Sequence, residues 1–247
     1  MGDTPNSLAE GQIPSALPIV KGRVLNPPLR GAFNDIMEAA KKGLPMDFFE
    51  TVRKRRSVCR FSDQPVAHEN ILAMLEAAIL APSATNEQPW RFIVIRDKNL
   101  KEGMRDVVNA VIETMIAATE DKSRKKRLAW MQSYSTHFAD APIAIAVLAR
   151  PWVGGSYGAP KNPAHRDLAL LSVAMAVDHL QLAATALGYG SCFASSPAEF
   201  AREELEALLG VEQPWFLVGI VSLGRTAKRP GKRPLRKPVE EVCAFIG

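Results

Sequence analysis

The chain has 247 residues, 47% of them hydrophobic and 23% charged, a composition typical of folded globular proteins rather than of disordered ones. Its formal net charge is +5, and 26 of its residues are acidic. This mildly positive charge suits an anionic small ligand but does not predict a nucleic-acid-binding protein. The length allows one domain or two small ones around a buried core.

The cysteines and histidines show no recognisable spacing. Cys59, Cys192 and Cys243 form no CxxC pair, and their odd number argues against a disulfide framework. The four histidines have no ligand spacing either, so we expect no metal site. A cytoplasmic protein without a membrane anchor is the simplest expectation, because there is no signal pattern and the longest apolar run, 168–177, is too short to span a bilayer.

The first part of the chain differs in composition from the rest. Residues 1–44 are predicted to form an N-terminal arm, either disordered or lying on a partner subunit. Residues 45–247 are predicted to form the folded domain. Apolar residues at helical spacing predict helices over 33–42, 46–54 and 67–80.

Strands and helices alternate through the remainder. Asp97 is expected to cap a helix, and 164–187 is predicted as a long helix that is apolar on nearly every side. Ser196-Pro-Ala-Glu199 has the pattern of a capping box, with Ser196 as the N-cap of a helix over 197–209. Apolar runs predict four strands, at 91–96, 141–148, 191–195 and 216–223. The result is a mixture of helices and strands whose direction the pattern leaves open.

A polar loop lies between the helix over 67–80 and the first of these strands. Pro82 ends the helix, because proline has no N–H and its ring clashes with the preceding turn. Polar groups beside a buried strand are typical of small-molecule sites, and this loop supplies Ser83, Thr85, Asn86 and Gln88. Together with the earlier Arg55-Arg56-Ser57, the loop indicates an anionic, planar ligand.

The glycine-rich phosphate-binding motifs are missing. Gly188-Tyr-Gly190 is followed by Phe193 where a Rossmann motif needs its third glycine. Gly231-Lys232 is not followed by the Ser or Thr of a P-loop. The sequence therefore predicts neither of these nucleotide-binding turns.

Four motifs in this order resemble the FMN-dependent nitroreductase family over about residues 46–243. They are Arg55-Arg56-Ser57 with Phe61, Pro82-Ser83 with Asn86 and Gln88-Pro89-Trp90, Gly188 to Cys192, and the basic tail before Pro238. The resemblance implies an α+β nitroreductase-like fold, with a central, mostly antiparallel sheet flanked by helices. It also implies a homodimer with FMN at the subunit interface.

The resemblance carries over to individual residues. Guanidinium and hydroxyl groups suit the FMN phosphate, and Arg229, Lys232 and Arg233 compete with Arg236 for the contact from the tail. Cys59 stands where the family often has a basic residue, with Arg60 next to it. Asn86 matches a contact to the flavin ring edge, and the backbone at 194–196 matches the segment that faces the ring. The implied cofactor-binding residues are Arg55, Arg56, Ser57, Pro82, Ser83, Asn86, Ala194, Ser195 and Arg236.

The implied activity is an NAD(P)H-dependent reduction of electron-poor acceptors such as nitroaromatics or quinones. The flavin carries this chemistry, so no side chain is predicted to be catalytic. A reductive dehalogenase of the deiodinase type is an alternative on the same fold. It requires a substrate lid, for which residues 120–137 offer Arg124, Lys125, Trp130 and Tyr134.

Three further alternatives stay open. A flavin-cleaving benzimidazole synthase ranks low, because that enzyme usually carries Asp where this chain has Ser57. A flavin-binding protein without enzymatic activity is a second possibility. A nucleic-acid-binding protein, using basic runs such as Lys122–Arg127, is the third, although the acidic residues among the basic ones disfavour it.

Overall fold

The computed structural model of the chain describes residues 47–151, 164–228, 231 and 233–246. The predicted arm over 1–44 and the predicted helix over 33–42 lie outside the described residues, as do Arg229 and Lys232. The boundary between arm and domain therefore stays a prediction.

The described residues form six α-helices and a single four-stranded sheet. The helices are α1 (Phe48–Lys54), α2 (His68–Ile79), α3 (Lys98–Ala117), α4 (Lys122–Thr136), α5 (Ala164–Ala186) and α6 (Ser196–Leu209). The strands are β1 (Trp90–Ile95), β2 (Ile143–Ala149), β3 (Gly190–Ala194) and β4 (Phe216–Gly224). Short 3₁₀ turns lie at Ala84–Asn86, His137–Asp140 and Val239–Glu241.

The sheet has the order β1-β2-β4-β3, and every neighbouring pair of strands is antiparallel. Each of the seven residues of β2 is buried, because helices cover both faces of the sheet. This arrangement confirms the predicted α+β fold with a mostly antiparallel sheet flanked by helices.

Alternate residues of β2 belong to two hydrophobic cores. Ile143, Ile145 and Val147 face a core shared with α2 and α5. Ala144, Ala146 and Leu148 face a second core shared with α3, α4 and α6. This is the period of two expected of a strand covered on both sides, and it gives the domain three layers.

Helix α5 has the length and composition of a membrane span. Its segment His165–Ala186 contains an 18-residue stretch with a mean hydropathy of 1.5, and 44% of that stretch is buried inside the fold. Val173, Val177 and Leu180 pack in the core between this helix and the sheet. Its apolar character is therefore explained in part by its central position against the sheet.

The outer edge of β3 is covered by the segment that follows α1. Ser57 forms a parallel bridge with Ser191, and the N–H of Val58 donates to the Ser191 carbonyl at 3.0 Å. A Cβ added to Gly190 would lie 2.7 Å from the Thr226 side chain and 2.9 Å from that of Val58. Glycine is needed here because the two backbones approach closely, and this approach places Arg55–Ser57 beside β3.

The predicted capping box at the start of α6 is wrong. The N-cap position is Ser195, which makes no side-chain capping bond, and Ser196 is the first helical residue. The hydroxyl of Ser196 instead accepts a buried hydrogen bond of 2.8 Å from the Ser135 hydroxyl of α4. The Ser135 hydroxyl, 61 positions away in the chain, therefore occupies the Ser196 hydroxyl that a capping box would have used to accept from the helix backbone.

Candidate cofactor site

A cavity of about 380 Å³ lies where the Arg55–Arg60 segment meets the C-terminal tail. Among the residues that the structure describes, its lining includes six cationic side chains and no carboxylate. Such a wall repels cations and offers several N–H donors to an anion. The cationic residues are Arg55, Arg56, Arg60, Lys228, Arg233 and Arg236, and the remaining lining residues are Ser57, Val58, Cys59, Gly231 and Pro234.

The end of α1 organises this cavity. Arg55 is the C-cap of α1 and has extended backbone angles, so the chain leaves the helix there and runs along β3. Arg56 donates at 2.8 Å to the Arg53 carbonyl, which gives one helix-end carbonyl a partner. Arg233 donates at 2.9 Å to the Val52 carbonyl and thereby ties the tail to the same helix.

Positive charge is concentrated across this opening. Desolvation, followed by the charges of Arg56, Arg236 and Arg55, lowers the pKa of Arg233. Among the residues that the structure describes, no ion pair joins a carboxylate to Arg55, Arg56 or Arg236. These three arginines therefore have charge available for an external anion.

The polar loop has a constrained backbone. Thr85, Asn86 and Gln88 all have positive φ angles, of 50°, 57° and 49°. The Ser83 hydroxyl accepts from the Gln88 N–H at 3.0 Å, and the Ser172 hydroxyl of α5 accepts from the Ala84 N–H at 3.2 Å. Left-handed backbone at non-glycine residues is uncommon and is concentrated at functional sites.

The third part of the predicted site is the end of β3. Ala194 is buried and pairs with Ile220, and Ser195 follows it, exposed, at the start of α6. Ala194 lies three positions along the strand from Ser191, which is beside the cationic cavity, and this corresponds to about 10 Å. An extended ligand lying along β3 therefore has the cavity at one end and the N-terminus of α6 at the other.

The structure thus brings four of the nine predicted residues together. Arg55, Arg56, Ser57 and Arg236 line one cavity. The other five residues do not line that cavity, and their roles stay predictions: Pro82, Ser83, Asn86, Ala194 and Ser195. Lys228 joins the lining without having been predicted to do so, because a basic residue in a proline-rich tail carries no local signal of its position.

The predicted lid segment is mainly helix α4. Asp121 caps it by accepting from the N–H groups of Ser123 and Arg124, at 2.8 and 3.3 Å. Trp130 and Tyr134 stack with their ring centroids 5.2 Å apart, and both are exposed. The helix therefore presents an aromatic surface.

The sequence shows no metal-ligand spacing, yet the structure brings three potential ligand residues together. Cys59, His137 and Cys192 place their potential ligand atoms within 4.8 Å of one another. They were missed because they come from three distant segments, and spacing rules detect only ligands that are close in sequence.

Comparison with known proteins identifies the family. A model described as the nitroreductase family matches residues 52–225. An Archaeoglobus fulgidus protein, assigned by its name as an NADH dehydrogenase or NAD(P)H nitroreductase, is 31% identical over 171 residues, covering 69% of this chain and 80% of that protein.

Two solved structures share the fold. A BluB-like flavoprotein from Clostridium difficile 630 matches with a TM-score of 0.73 and 30% identity, covering 82% of this chain and 100% of its own. Oxidised iodotyrosine deiodinase, bound to FMN and 3-iodo-L-tyrosine, matches with a TM-score of 0.63 and 25% identity, covering 81% and 100%. With most of its length matched by the family model, the chain belongs to the nitroreductase family.

Proposed function

We propose that this chain is an FMN-dependent oxidoreductase that uses NADH or NADPH to reduce electron-poor acceptors such as nitroaromatics or quinones. The observation that carries the proposal is the cationic cavity beside β3, in a chain of the nitroreductase family. The name of the Archaeoglobus fulgidus relative supports a nicotinamide donor.

The residues of the cavity fit the phosphate of FMN. Arg55, Arg56 and Arg236 present guanidinium groups, whose paired N–H donors match phosphate oxygens, and Ser57 adds an exposed hydroxyl. The fit does not depend on the basic family residue that Cys59 replaces, because Arg60 and Arg233 also line the cavity.

When bound, FMN supplies the hydride transfer between the nicotinamide donor and the acceptor. The chain binds and orients it. The first N–H groups of α6 have no partners within the helix and carry partial positive charge, so they stabilise negative charge on a ring lying at Ala194–Ser195. Asn86 reaches the ring edge in this proposal, with an amide that both donates and accepts. No side chain is proposed as a nucleophile or general acid.

A second copy of the chain completes the site in this proposal. Helix α5 exposes Leu168, Leu171 and Met175 at helical spacing, and Phe48 and Phe49 are exposed on α1, which packs against α5. An apolar surface of this kind marks an interaction site. We therefore place the polar loop of Pro82, Ser83 and Asn86 at the homodimer interface, where it contributes to the partner's flavin site.

The deiodinase-type reductive dehalogenase stays the second candidate. The exposed Trp130–Tyr134 stack on α4 favours it, because two aromatic rings offer a surface to an aromatic substrate. Anaerobic turnover of a panel containing nitroaromatics, quinones and halogenated phenols distinguishes the candidates. Dehalogenation faster than nitro or quinone reduction would support this second activity.

The visible spectrum of the purified full-length protein is the first test, and we expect the absorption of oxidised flavin, bleached by NAD(P)H. Arg55→Ala should weaken FMN binding about 10- to 150-fold, since a hydrogen bond to a charged group contributes about 1.5–3 kcal/mol. Arg53→Ala is the matched control, because Arg53 belongs to the same helix but is absent from the cavity lining. Equal FMN affinity in the two variants would contradict the phosphate assignment, and failure to take up FMN would contradict the function.

A further inference from the structure

Cys59, His137 and Cys192 form a compact cluster behind the cationic cavity, and the proposed function assigns them no role. The two Sγ atoms and a ring nitrogen lie within 4.8 Å of one another. His137 and Cys192 are 7% and 1% exposed, whereas Cys59 is half-buried and belongs to the cavity lining. The cluster is therefore enclosed by protein on one side and accessible from the cavity on the other.

The imidazole of His137 is oriented like a metal ligand. Its Nδ1 lies 2.5 Å from the Tyr134 carbonyl oxygen, which can only accept, so Nδ1 carries the proton and donates. In the neutral imidazole, Nε2 then has a free lone pair. That atom is buried and, within the described part of the chain, makes no hydrogen bond of ordinary geometry. A ligating histidine commonly donates its other N–H to a backbone carbonyl in this way.

A second polar atom without a partner lies next to the cluster. Ser222 of β4 pairs directly with Cys192 across the sheet, so their side chains share one face. The Ser222 hydroxyl is buried and has no hydrogen-bond partner among the residues that the structure describes. Two orphaned polar groups around two sulfurs indicate a polar site rather than ordinary core packing.

We propose that Cys59, His137 and Cys192 bind a thiophilic divalent metal ion, with Zn²⁺ as the expected occupant. Two sulfurs and one imidazole nitrogen are the ligand types of Cys₂His zinc sites. Tetrahedral coordination at zinc–sulfur distances near 2.3 Å needs sulfur atoms about 3.8 Å apart, so the ligands close by up to about 1 Å. Three protein ligands leave the fourth position for a water molecule, which the Ser222 hydroxyl is placed to hydrogen-bond.

The protons balance in a simple way. Metal ligation needs both sulfurs as thiolates and the imidazole with a free lone pair on Nε2. Metal binding therefore forms two metal–sulfur bonds and one metal–nitrogen bond, and each proton that the two thiols or Nε2 carried passes to solvent.

Cobalt(II) is the probe, because tetrahedral thiolate coordination gives it intense visible bands at longer wavelengths than oxidised flavin absorbs. The full-length protein is reduced, desalted anaerobically and titrated with Co²⁺, and Zn²⁺ is then added. We expect one Co²⁺ per chain, a tetrahedral spectrum, and its displacement by Zn²⁺. This readout needs no flavin, so it stands or falls separately from the proposed oxidoreductase activity.

Variants assign the ligands. Cys59→Ser and His137→Gln should each weaken Co²⁺ binding more than about 100-fold, beyond the about 10- to 100-fold cost of losing a residue that only hydrogen-bonds to a ligand. Cys243→Ser is the matched control, because Cys243 is the third cysteine and lies exposed in the tail. Cys59→Ser is used rather than a substitution of Cys192, because Cys59 is less buried and its replacement disturbs the core less.

Three outcomes overturn the proposal. One is an octahedral, weak cobalt spectrum in the reduced protein. Another is equal Co²⁺ affinity in wild type and Cys59→Ser. The third is a Cys59–Cys192 disulfide whose reduction leaves a protein that takes up neither metal; that result would assign the pair to redox chemistry instead.

Discussion

At the scale of single residues, the polar loop shows how backbone and side-chain roles separate. Asn86 has a φ of 57°, a conformation that asparagine and glycine adopt more readily than other residues. Asparagine at this position therefore stabilises the turn, in addition to any contact that its side chain makes with a ligand. Its side chain is exposed, and its Oδ1 accepts from the Gln88 side chain at 3.3 Å.

A pair of substitutions at Asn86 distinguishes these two roles. Asn86→Ala removes the amide and places Cβ in a left-handed backbone, so it should destabilise the fold by about 1 kcal/mol. Asn86→Gly removes the amide without that strain and should leave stability within about 0.5 kcal/mol. If Asn86 contacts the flavin, both variants lose FMN affinity, as measured by fluorescence titration, whereas urea unfolding changes only for Asn86→Ala. Wild-type FMN affinity in Asn86→Gly would contradict the ring contact.

Individual residues also differ in whether the sequence predicts their place in a site. Arg55, Ser57 and Arg236 are predicted to share a site because their motifs supply guanidinium and hydroxyl groups that suit a phosphate. The structure places them in one cavity. Cys59, His137 and Cys192 carry no such motif. Only the folding of three distant segments brings them together, and nothing local to any of them encodes this.

At the scale of elements, the boundaries follow from local physics wherever the chain itself supplies the signal. The four strands begin and end within two residues of their predicted positions, since apolar runs and turn residues mark them. The Asp97 side chain accepts from the Leu100 N–H at 3.1 Å, as the predicted N-cap should. The start of α6 was missed because two successive serines offer equal local signals and Ser135 decides between them.

The contact between β3 and the segment after α1 is the element-scale feature on which the cavity depends. Gly190→Ala forces Cβ against Thr226 and Val58, so we expect a loss of about 1–3 kcal/mol in unfolding free energy. Displacing Val58 also displaces Ser57 and Arg55, so FMN affinity should fall as well. Urea unfolding and FMN titration measure the two effects.

Gly103→Ala is the control for this substitution. Gly103 lies within α3, and a Cβ added there meets nothing within 4 Å. That variant should gain about 0.5–1 kcal/mol from helix propensity and keep its FMN affinity. Unchanged stability and FMN binding in Gly190→Ala would show that the edge contact does not position the cavity.

At the scale of the whole molecule, the residues predicted to bind FMN lie in separate places on the described chain. The cationic cavity lies at one edge of the sheet, whereas the loop of Ser83 and Asn86 is anchored to α5 through Ser172 and is absent from the cavity lining. Helix α5 is also the element that exposes an apolar stripe. A homodimer formed through α5 places that loop at the interface, which is why the proposed flavin site and the proposed dimer depend on each other.

A charge introduced into this stripe tests that dependence. Leu171 is 63% exposed, so Leu171→Asp should leave the monomer folded while raising the dimer dissociation constant at least about tenfold, or about 1.4 kcal/mol. Light scattering over a dilution series measures association, and FMN titration at the same concentrations should show affinity falling as the dimer dissociates. Asn99→Asp adds the same charge at the exposed first turn of α3, on the opposite face of the sheet, and should change neither quantity. A monomeric Leu171→Asp protein that binds FMN as tightly as the dimer would place the whole site within one chain, because the partner's loop would then contribute nothing to binding.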